Sequence, residues 1–466
     1  MISEQKNLHA VKISGYAHDG AGVGRIDGQV VFVPGALQGE EVLVEINRKQ
    51  KGVFRGRVKE VLCASKERLS PPCSVYAQCG GCQLQHVTYA TQLKIKEEIV
   101  RETLQRLGGI KDVLVRPVLG MSSPWGYRNK GHFQVGRRKG KVFLGFFEEG
   151  THYLVTQPCR HLFSPKVTSL LDFLEEILTA FQIKVAETGV PGLRHLLIRE
   201  SRASGEILVV FIYSGKYCDK KEAIAREIYR KYPEVVGVCQ SKNTSAAGPV
   251  LGNKQKGNMG NKANEANTVE IIWGRDWLKD KIGPFLFRIS PASFFQVNSI
   301  QTAVLYEKVL EYAALSGKEE VVDVYCGIGT ISLFLAQRAR KVTGIEIVPE
   351  AVADARKNTE RNGINNVEFV QGKAEKIMPQ MVARGARPQV VVIDPPRKGC
   401  ERELLDSIIA VKPQRVVYVS CNPATLARDL RHLTDGGYTV AELQPVDMFP
   451  QTGHVETVVL MSRVDK

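Results

Sequence analysis

Cys421 is the residue in this sequence whose type and setting most invite chemistry. It lies in Val419-Ser-Cys-Asn-Pro-Ala-Thr-Leu-Ala-Arg-Asp429, directly after an apolar run that reads as a central strand. A cysteine at the end of such a strand stands at the sheet edge where α/β folds bind their ligands. A thiolate is a soft nucleophile, suited to covalent addition at an electron-poor carbon. The adduct needs a base to take a proton before the sulfur can leave, and His454-Val-Glu456, at the start of the last strand, offers one. Taken singly, Cys421 reads as a small buried residue and Glu456 as a surface acid.

Two further motifs lie at the same predicted edge. Asp323-Val-Tyr-Cys-Gly-Ile-Gly-Thr330 follows a strand and precedes a helix. Gly327 and Gly329 let the backbone approach a ligand, and the helix start offers free N–H groups. Glu346 ends the next strand, where an acid accepts hydrogen bonds from ribose hydroxyls. That pairing fits a nucleoside cofactor; a dinucleotide would want the longer G-x-G-x-x-G, which the chain lacks. A glycine pair in an ordinary α/β loop is the plain alternative. Val391-Val-Ile-Asp-Pro-Pro-Arg-Lys-Gly399 ends a strand on Asp394 and a stiff turn. Methyltransferases acting on amino groups of DNA often carry an aromatic where this chain has Arg397, which argues against adenine or cytosine N-methylation.

Read together, these motifs suit one reaction. Carbon 5 of uracil is a poor nucleophile toward a methyl sulfonium. Addition of a thiolate to C6 turns the ring into an enolate whose C5 takes the methyl group, and a base then removes the C5 proton.

The elements that must position these residues fall into three parts. At 466 residues the chain is too long for one ordinary domain. Residues 1–62 read as a small glycine-punctuated β-barrel. Residues 63–289 form a strand-rich central region that begins with a cysteine group and an amphipathic helix over 92–107. Within it, 241–268 is rich in Asn, Gly, Lys and Ala, and reads as a flexible loop. From 290 to 466, apolar runs at 321–326, 341–347, 367–370, 390–393, 415–420 and 455–461 alternate with helical segments. That pattern predicts a mostly parallel sheet with helices on both faces.

The net charge of +15 favours a polyanionic partner. Between Asp112 and Glu148 there is no acid, while Arg116, Arg128, Lys130, Arg137, Arg138, Lys139 and Lys141 are interleaved with Trp125, Tyr127, Phe133 and Phe143. Cations that follow phosphates and aromatics that stack on bases hold single-stranded RNA; the alternative makes the aromatics core. Arg48, Lys49, Lys51, Arg55, Arg57 and Lys59 form a second acid-free stretch in the barrel. The N-terminus lacks an apolar leader and no run is long enough to cross a bilayer, so the expectation is a cytoplasmic protein with no membrane partner.

Of ten cysteines, Cys73, Cys79 and Cys82 cluster as C-x5-C-x2-C. In a cytosolic chain this spacing points to a metal site, and it leaves zinc and iron–sulfur both open.

Phe294-Phe-Gln-Val-Asn298, Asp323-x-x-Cys-Gly-x-Gly, Asp394-Pro-Pro-Arg, Ser420-Cys-Asn-Pro-x-Thr and His454-Val-Glu together resemble the bacterial RNA 5-methyluridine methyltransferase family over nearly the whole chain. The barrel resembles the TRAM domain, an OB-like RNA-binding module. The resemblance implies a Rossmann-like S-adenosylmethionine-dependent domain in which Gln296, Tyr325, Gly327, Glu346 and Asp394 contact the cofactor. It implies Cys421 as nucleophile and Glu456 as base. Thr330 stands where some relatives have Asn. The rRNA branch has a distal fourth cysteine, matched by Cys159, and this implies a 4Fe-4S cluster on Cys73, Cys79, Cys82 and Cys159. The expected substrate is 23S rRNA, with tRNA or a catalytically silent RNA-binding role as alternatives, and the expected state is a monomer.

Overall fold

The structure, a computed structural model, describes residues 7–464 except 51, 112, 149, 152, 156–158, 188 and 244–268. Most of the 241–268 stretch expected to be a flexible loop therefore lies outside the described residues; its first two residues end the strand Val235–Lys242.

The N-terminal part is a six-stranded barrel in the order Leu8–Lys12, Glu41–Gln50, Val53–Cys63, Gln29–Val33, Gly22–Ile26, Gly15–Tyr16. Val11, Ile13, Val31, Val33, Val42 and Val44 fill it. Two strand glycines are required by close packing. A Cβ on Gly24 would stand 2.3 Å from Val11, and one on Gly56 would stand 2.4 Å from Val44. The basic hairpin is less bare than its local sequence suggests. Strand register sets Arg57 opposite Glu45, which pairs with Arg57 at 2.7 Å and Lys59 at 3.1 Å. Arg55 reaches Asp19 at 3.2 Å.

The central sheet runs Leu154–Val155, Lys141–Phe147, Lys130–Arg138, Leu193–Glu200, Ile207–Tyr213, Val235–Lys242, Val269–Gly274. One face packs on the helices Pro165–Ala180 and Lys221–Lys231. Alternation along Lys130–Arg138 turns Phe133 and Val135 into that core and leaves Lys130, His132 and Gln134 on the opposite face. Tyr127 is buried with them. Tyr127 and Phe133 are thus core residues, and Trp125 packs partly against the same core; for Phe133 the strand period separates it from the cations beside it.

The C-terminal sheet has the order Val367–Gln371, Lys341–Glu346, Glu320–Val324, Val390–Ile393, Arg415–Ser420, Glu456–Arg463, Tyr438–Val446, Leu114–Val115. Its first five strands are parallel, and Glu456–Arg463 runs antiparallel to both neighbours. The layer also draws on residues from the middle of the chain. Leu114–Val115 pairs with Tyr438–Val446, and the helix Tyr89–Thr103, followed by a π-turn over Leu104–Gly108, packs on the helix Pro423–Asp435. The hairpin Leu278–Ile282 and Phe285–Ile289 closes the other side of the core with the helix Ser299–Ala313. Among the described residues no helix is long and apolar enough to cross a membrane.

Candidate active site

The sheet brings the expected site residues to one edge. Tyr325, Glu346, Asp394 and Cys421 each end or directly follow one of its parallel strands. The ladder between Arg415–Ser420 and Glu456–Arg463 ends on Ser420 paired with Thr457. Cys421 and Glu456 are the next residues on each side, so strand register alone carries the thiol and the carboxyl to the same point. The two following motifs brace each other. The Asn422 side-chain amide donates to the Arg397 carbonyl at 3.1 Å, and Thr425 Oγ1 donates to it at 3.2 Å. Asn422 also caps the helix Pro423–Asp435 through the Ala424 N–H.

The electrostatics follow from burial. Glu456 is 5% exposed. Loss of water, then the nearby Asp394 carboxyl, raises its pKa to about 8, while Arg397 pulls the other way. Although part of Asp394 is open to solvent, the surrounding protein strips enough water to raise it to about 7. Cys421 is half-buried, and its thiol is pushed up to about 12 by desolvation and by the carboxyls of Glu456 and Asp394. Arg397 is the cation that favours its thiolate.

The half of the edge expected to hold the cofactor is built on the turn after Glu320–Val324. Tyr325 has φ +65°, a left-handed conformation unusual for a side chain of its size, and its hydroxyl donates to Glu375 at 2.8 Å. Gly327 has φ +55° and open space in front of it. Both Glu346 oxygens accept backbone N–H groups, from Gly327 at 3.1 Å and Val348 at 2.8 Å, which fixes the carboxylate at the strand end. Beneath the turn, buried Asp323 accepts from Ser332 at 2.5 Å and is raised to about 7. Thr330 is held by Tyr306 at 3.0 Å. Gln296 is buried, with its carbonyl accepting from Asn129 at 2.9 Å, and Phe294 beside it is 72% exposed.

Known proteins match both ends of this architecture. Residues 265–464 match the family model described as tRNA (Uracil-5-)-methyltransferase, and residues 9–59 match the TRAM domain. An uncharacterized RNA methyltransferase of Bacillus cereus is 45% identical over 465 residues, covering 99% of this chain and 98% of its own. A counterpart in Halalkalibacterium halodurans is 44% identical over 97% of this chain and 96% of its own. The chain belongs to the RNA (uracil-5-)-methyltransferase family. The solved tRNA (uracil-54, C5)-methyltransferase of Pyrococcus abyssi, in complex with S-adenosyl-L-homocysteine, superposes with a TM-score of 0.74 at 27% identity, covering 97% of this chain and 100% of that one. The protein is an S-adenosylmethionine-dependent RNA methyltransferase with an N-terminal TRAM domain.

In this methyltransferase the four cysteines expected to bind a cluster lie within electrostatic reach of one another although Cys159 is far away in sequence. Burial raises Cys79, Cys82 and Cys159, Cys82 to about 12. Each also feels its fellows: Cys79 feels Cys73, Cys82 feels Cys159 and Cys79, and Cys159 feels Cys79 and Cys73. The Gly81 N–H donates to Cys79 Sγ at 3.4 Å, and the backbone of His161 and Leu162 donates to Cys159. Four neighbouring thiols, two of them with backbone N–H donors, suit a thiolate-ligated group. Among the described residues, however, no three His, Cys, Asp or Glu side chains are gathered tightly enough to hold a single metal ion.

Two features of the methyltransferase site went unassigned in the sequence. Arg397 was visible there only as a departure from an aromatic position. Lys96 pairs with Asp447, both fully buried; its one sequence signal was a charge one helical turn from Gln92 and Val100 on the helix's buried face.

Proposed function

We propose that this methyltransferase modifies C5 of a uridine in 23S rRNA through a covalent adduct on Cys421. The observation that carries the reading is the register that sets Cys421 beside Glu456 at the cofactor edge of the sheet. The Cys421 sulfur adds to C6, and the ring electron pair shifts to form an enolate. C5 then attacks the methyl group of S-adenosylmethionine, and S-adenosylhomocysteine leaves. Glu456 takes the C5 proton, the C5–C6 double bond re-forms, and the thiolate departs. Arg397 stabilises the thiolate, and a proton on Asp394 or Glu456 removes a negative charge that would oppose it. Gln296, Tyr325, Gly327, Glu346 and Asp394 hold the cofactor.

In this reading Cys73, Cys79, Cys82 and Cys159 would hold a 4Fe-4S cluster. When bound, it ties four cysteines of two loops together and takes no part in methyl transfer, which moves no electron between centres. The cluster cysteines favour rRNA by likeness to that branch. The Pyrococcus abyssi relative, a tRNA (uracil-54, C5)-methyltransferase, favours tRNA as the second reading.

Mapping 5-methyluridine in rRNA and tRNA of cells lacking the protein decides the target. For the mechanism, Glu456→Ala should stall covalently joined to methylated RNA, giving a shifted band on a denaturing gel. Cys421→Ala should bind RNA and cofactor without adduct or product. An adduct formed by Cys421→Ala would refute the assignment of the nucleophile.

A further inference from the structure

On the side away from its helices the central sheet carries a group of basic side chains for which the reaction above has no use. His195 and Arg199 are buried there beside the core shared with the C-terminal sheet, while Lys130 and His132 stay partly exposed. Register sets Lys130 opposite Arg199 and Gln134 opposite His195, with His132 between them. All five side chains share the face turned away from the helices. Phe143, opposite Gly136, extends it on the next strand. Arg199 is 2% exposed; its guanidinium donates to the carbonyls of Pro291 and Ser293, while its Nε has no partner. Buried Arg128 Nε and His195 Nδ1 are also without partners among the described residues.

No acid is among the charged groups that shift Lys130, His132 or Arg199. The charged group acting on Lys130 is Arg199, and with desolvation it lowers the amine to about 7. Those acting on His132 are Lys130, Arg199, His195 and Arg128, and its pKa falls to about 3. Lost water and the neighbouring Arg199 thus oppose the charged form of Lys130 with no carboxylate to favour it, and a phosphate at its amine would favour that form. The face also adjoins the catalytic edge. Asn129, next to Lys130, donates its backbone N–H to Val297 and its side chain to the Gln296 carbonyl, both at 2.9 Å.

We propose that Lys130 and His132, the partly exposed members of this group, seat a phosphodiester of the substrate RNA, a few nucleotides from the target uridine, with the buried Arg199 behind them. Phe143 on the same face offers a ring for a neighbouring base. The inference rests on the function proposed above and adds the place where the strand is gripped.

The test uses the full-length protein and a short synthetic RNA containing the uridine it methylates, identified first on 23S rRNA and tRNA transcripts. Single linkages around that uridine are replaced, one at a time, by neutral methylphosphonates. At one linkage, neutralisation should weaken wild-type binding about tenfold, and Lys130→Met should weaken binding to the unmodified RNA similarly. The two changes together should cost no more than either alone. The salt slope of Lys130→Met should be shallower by about 0.7. His132→Gln provides a second variant. Lys130→Met should melt no lower than wild type, because it removes a desolvated charge, so weaker RNA binding cannot be put down to unfolding. Independent, multiplying effects at every linkage would overturn the proposal while leaving the methylation reading intact. Failure of the wild type to methylate either transcript would overturn that reading, and this one with it.

Discussion

Lys96 donates to Asp447 across 2.5 Å, with both side chains shut off from water. Lys96 also reaches the Phe449 carbonyl at 3.0 Å, and Tyr89, about two helical turns earlier, donates to the other Asp447 oxygen at 2.9 Å. Asp447 directly follows Val446, which the sheet register pairs with Glu456. Four residues on, Gln451 exchanges hydrogen bonds with Gln92 at 2.9 and 3.0 Å, and its carbonyl accepts the N–H groups of Gln83 and Leu84, just after Cys82. The segment leading to the proposed base is therefore gripped by a helix from the middle of the chain and by the cysteine loop.

Removing one partner of a buried ion pair leaves the other charge stranded. Lys96→Met and Asp447→Asn should each destabilise the protein by about 3–5 kcal/mol, read as a fall in the urea midpoint. The double variant should recover much of the loss. Equal, additive losses would mean that the pair contributes through packing alone.

Glu456 must be ionised to accept the C5 proton, and its pKa lies at about 8. Release of methylated RNA in a single turnover should therefore rise with pH up to about 8 and then level off. A release rate flat between pH 6 and 9 would assign proton removal to another group.

The same shift has a stability sign. The folded-state pKa of Glu456 lies above its usual value of 4.5, so its contribution is fully present below about pH 4.5 and is lost as pH rises through about 8. Glu456→Gln, which mimics the protonated form, should melt above wild type at pH 8.5, and the gap should shrink toward pH 5. Scanning calorimetry at the two pH values checks this.

Glu346 and Asp394 stand at the ends of different strands on the edge proposed to hold the cofactor. Each changed to Ala should weaken S-adenosylmethionine binding by about 1–3 kcal/mol, the cost of a lost buried hydrogen bond. Isothermal titration giving wild-type affinity in both variants would place the pocket elsewhere.

Protein purified without oxygen should be brown and contain iron and sulfide in equal amounts. Cys79→Ser should lose the colour and loosen the 73–84 loop, since metal binding is coupled to local folding, which hydrogen exchange at Gln83 and Leu84 would report. Colourless protein with stoichiometric zinc would defeat the cluster assignment.

Much of the site was legible in the sequence because its residues sit at strand ends. A strand ending on Asp394, another on Glu346 and a third before Cys421 place their acids and thiol at one sheet edge once the sheet is parallel, and apolar runs alternating with helices predict such a sheet. The glycine turn at Gly327 and the helix cap at Asn422 are local chemistry, visible in local sequence. Contacts set by register or by distant packing were not legible. Glu45 pairs with Arg57 and Lys59 only because the hairpin brings them together, and Phe133 parts from the cations beside it only because the strand alternates beneath a helix. Lys96 finds Asp447 351 residues away, and Arg199 meets Lys130 across two strands far apart in the chain. Which groups could react and which edge they occupy follow from residue type and local period, and so were written in the sequence. Which charges are paired and which are left without an acid was decided by the tertiary structure, because Coulomb energy and desolvation depend on distances in space.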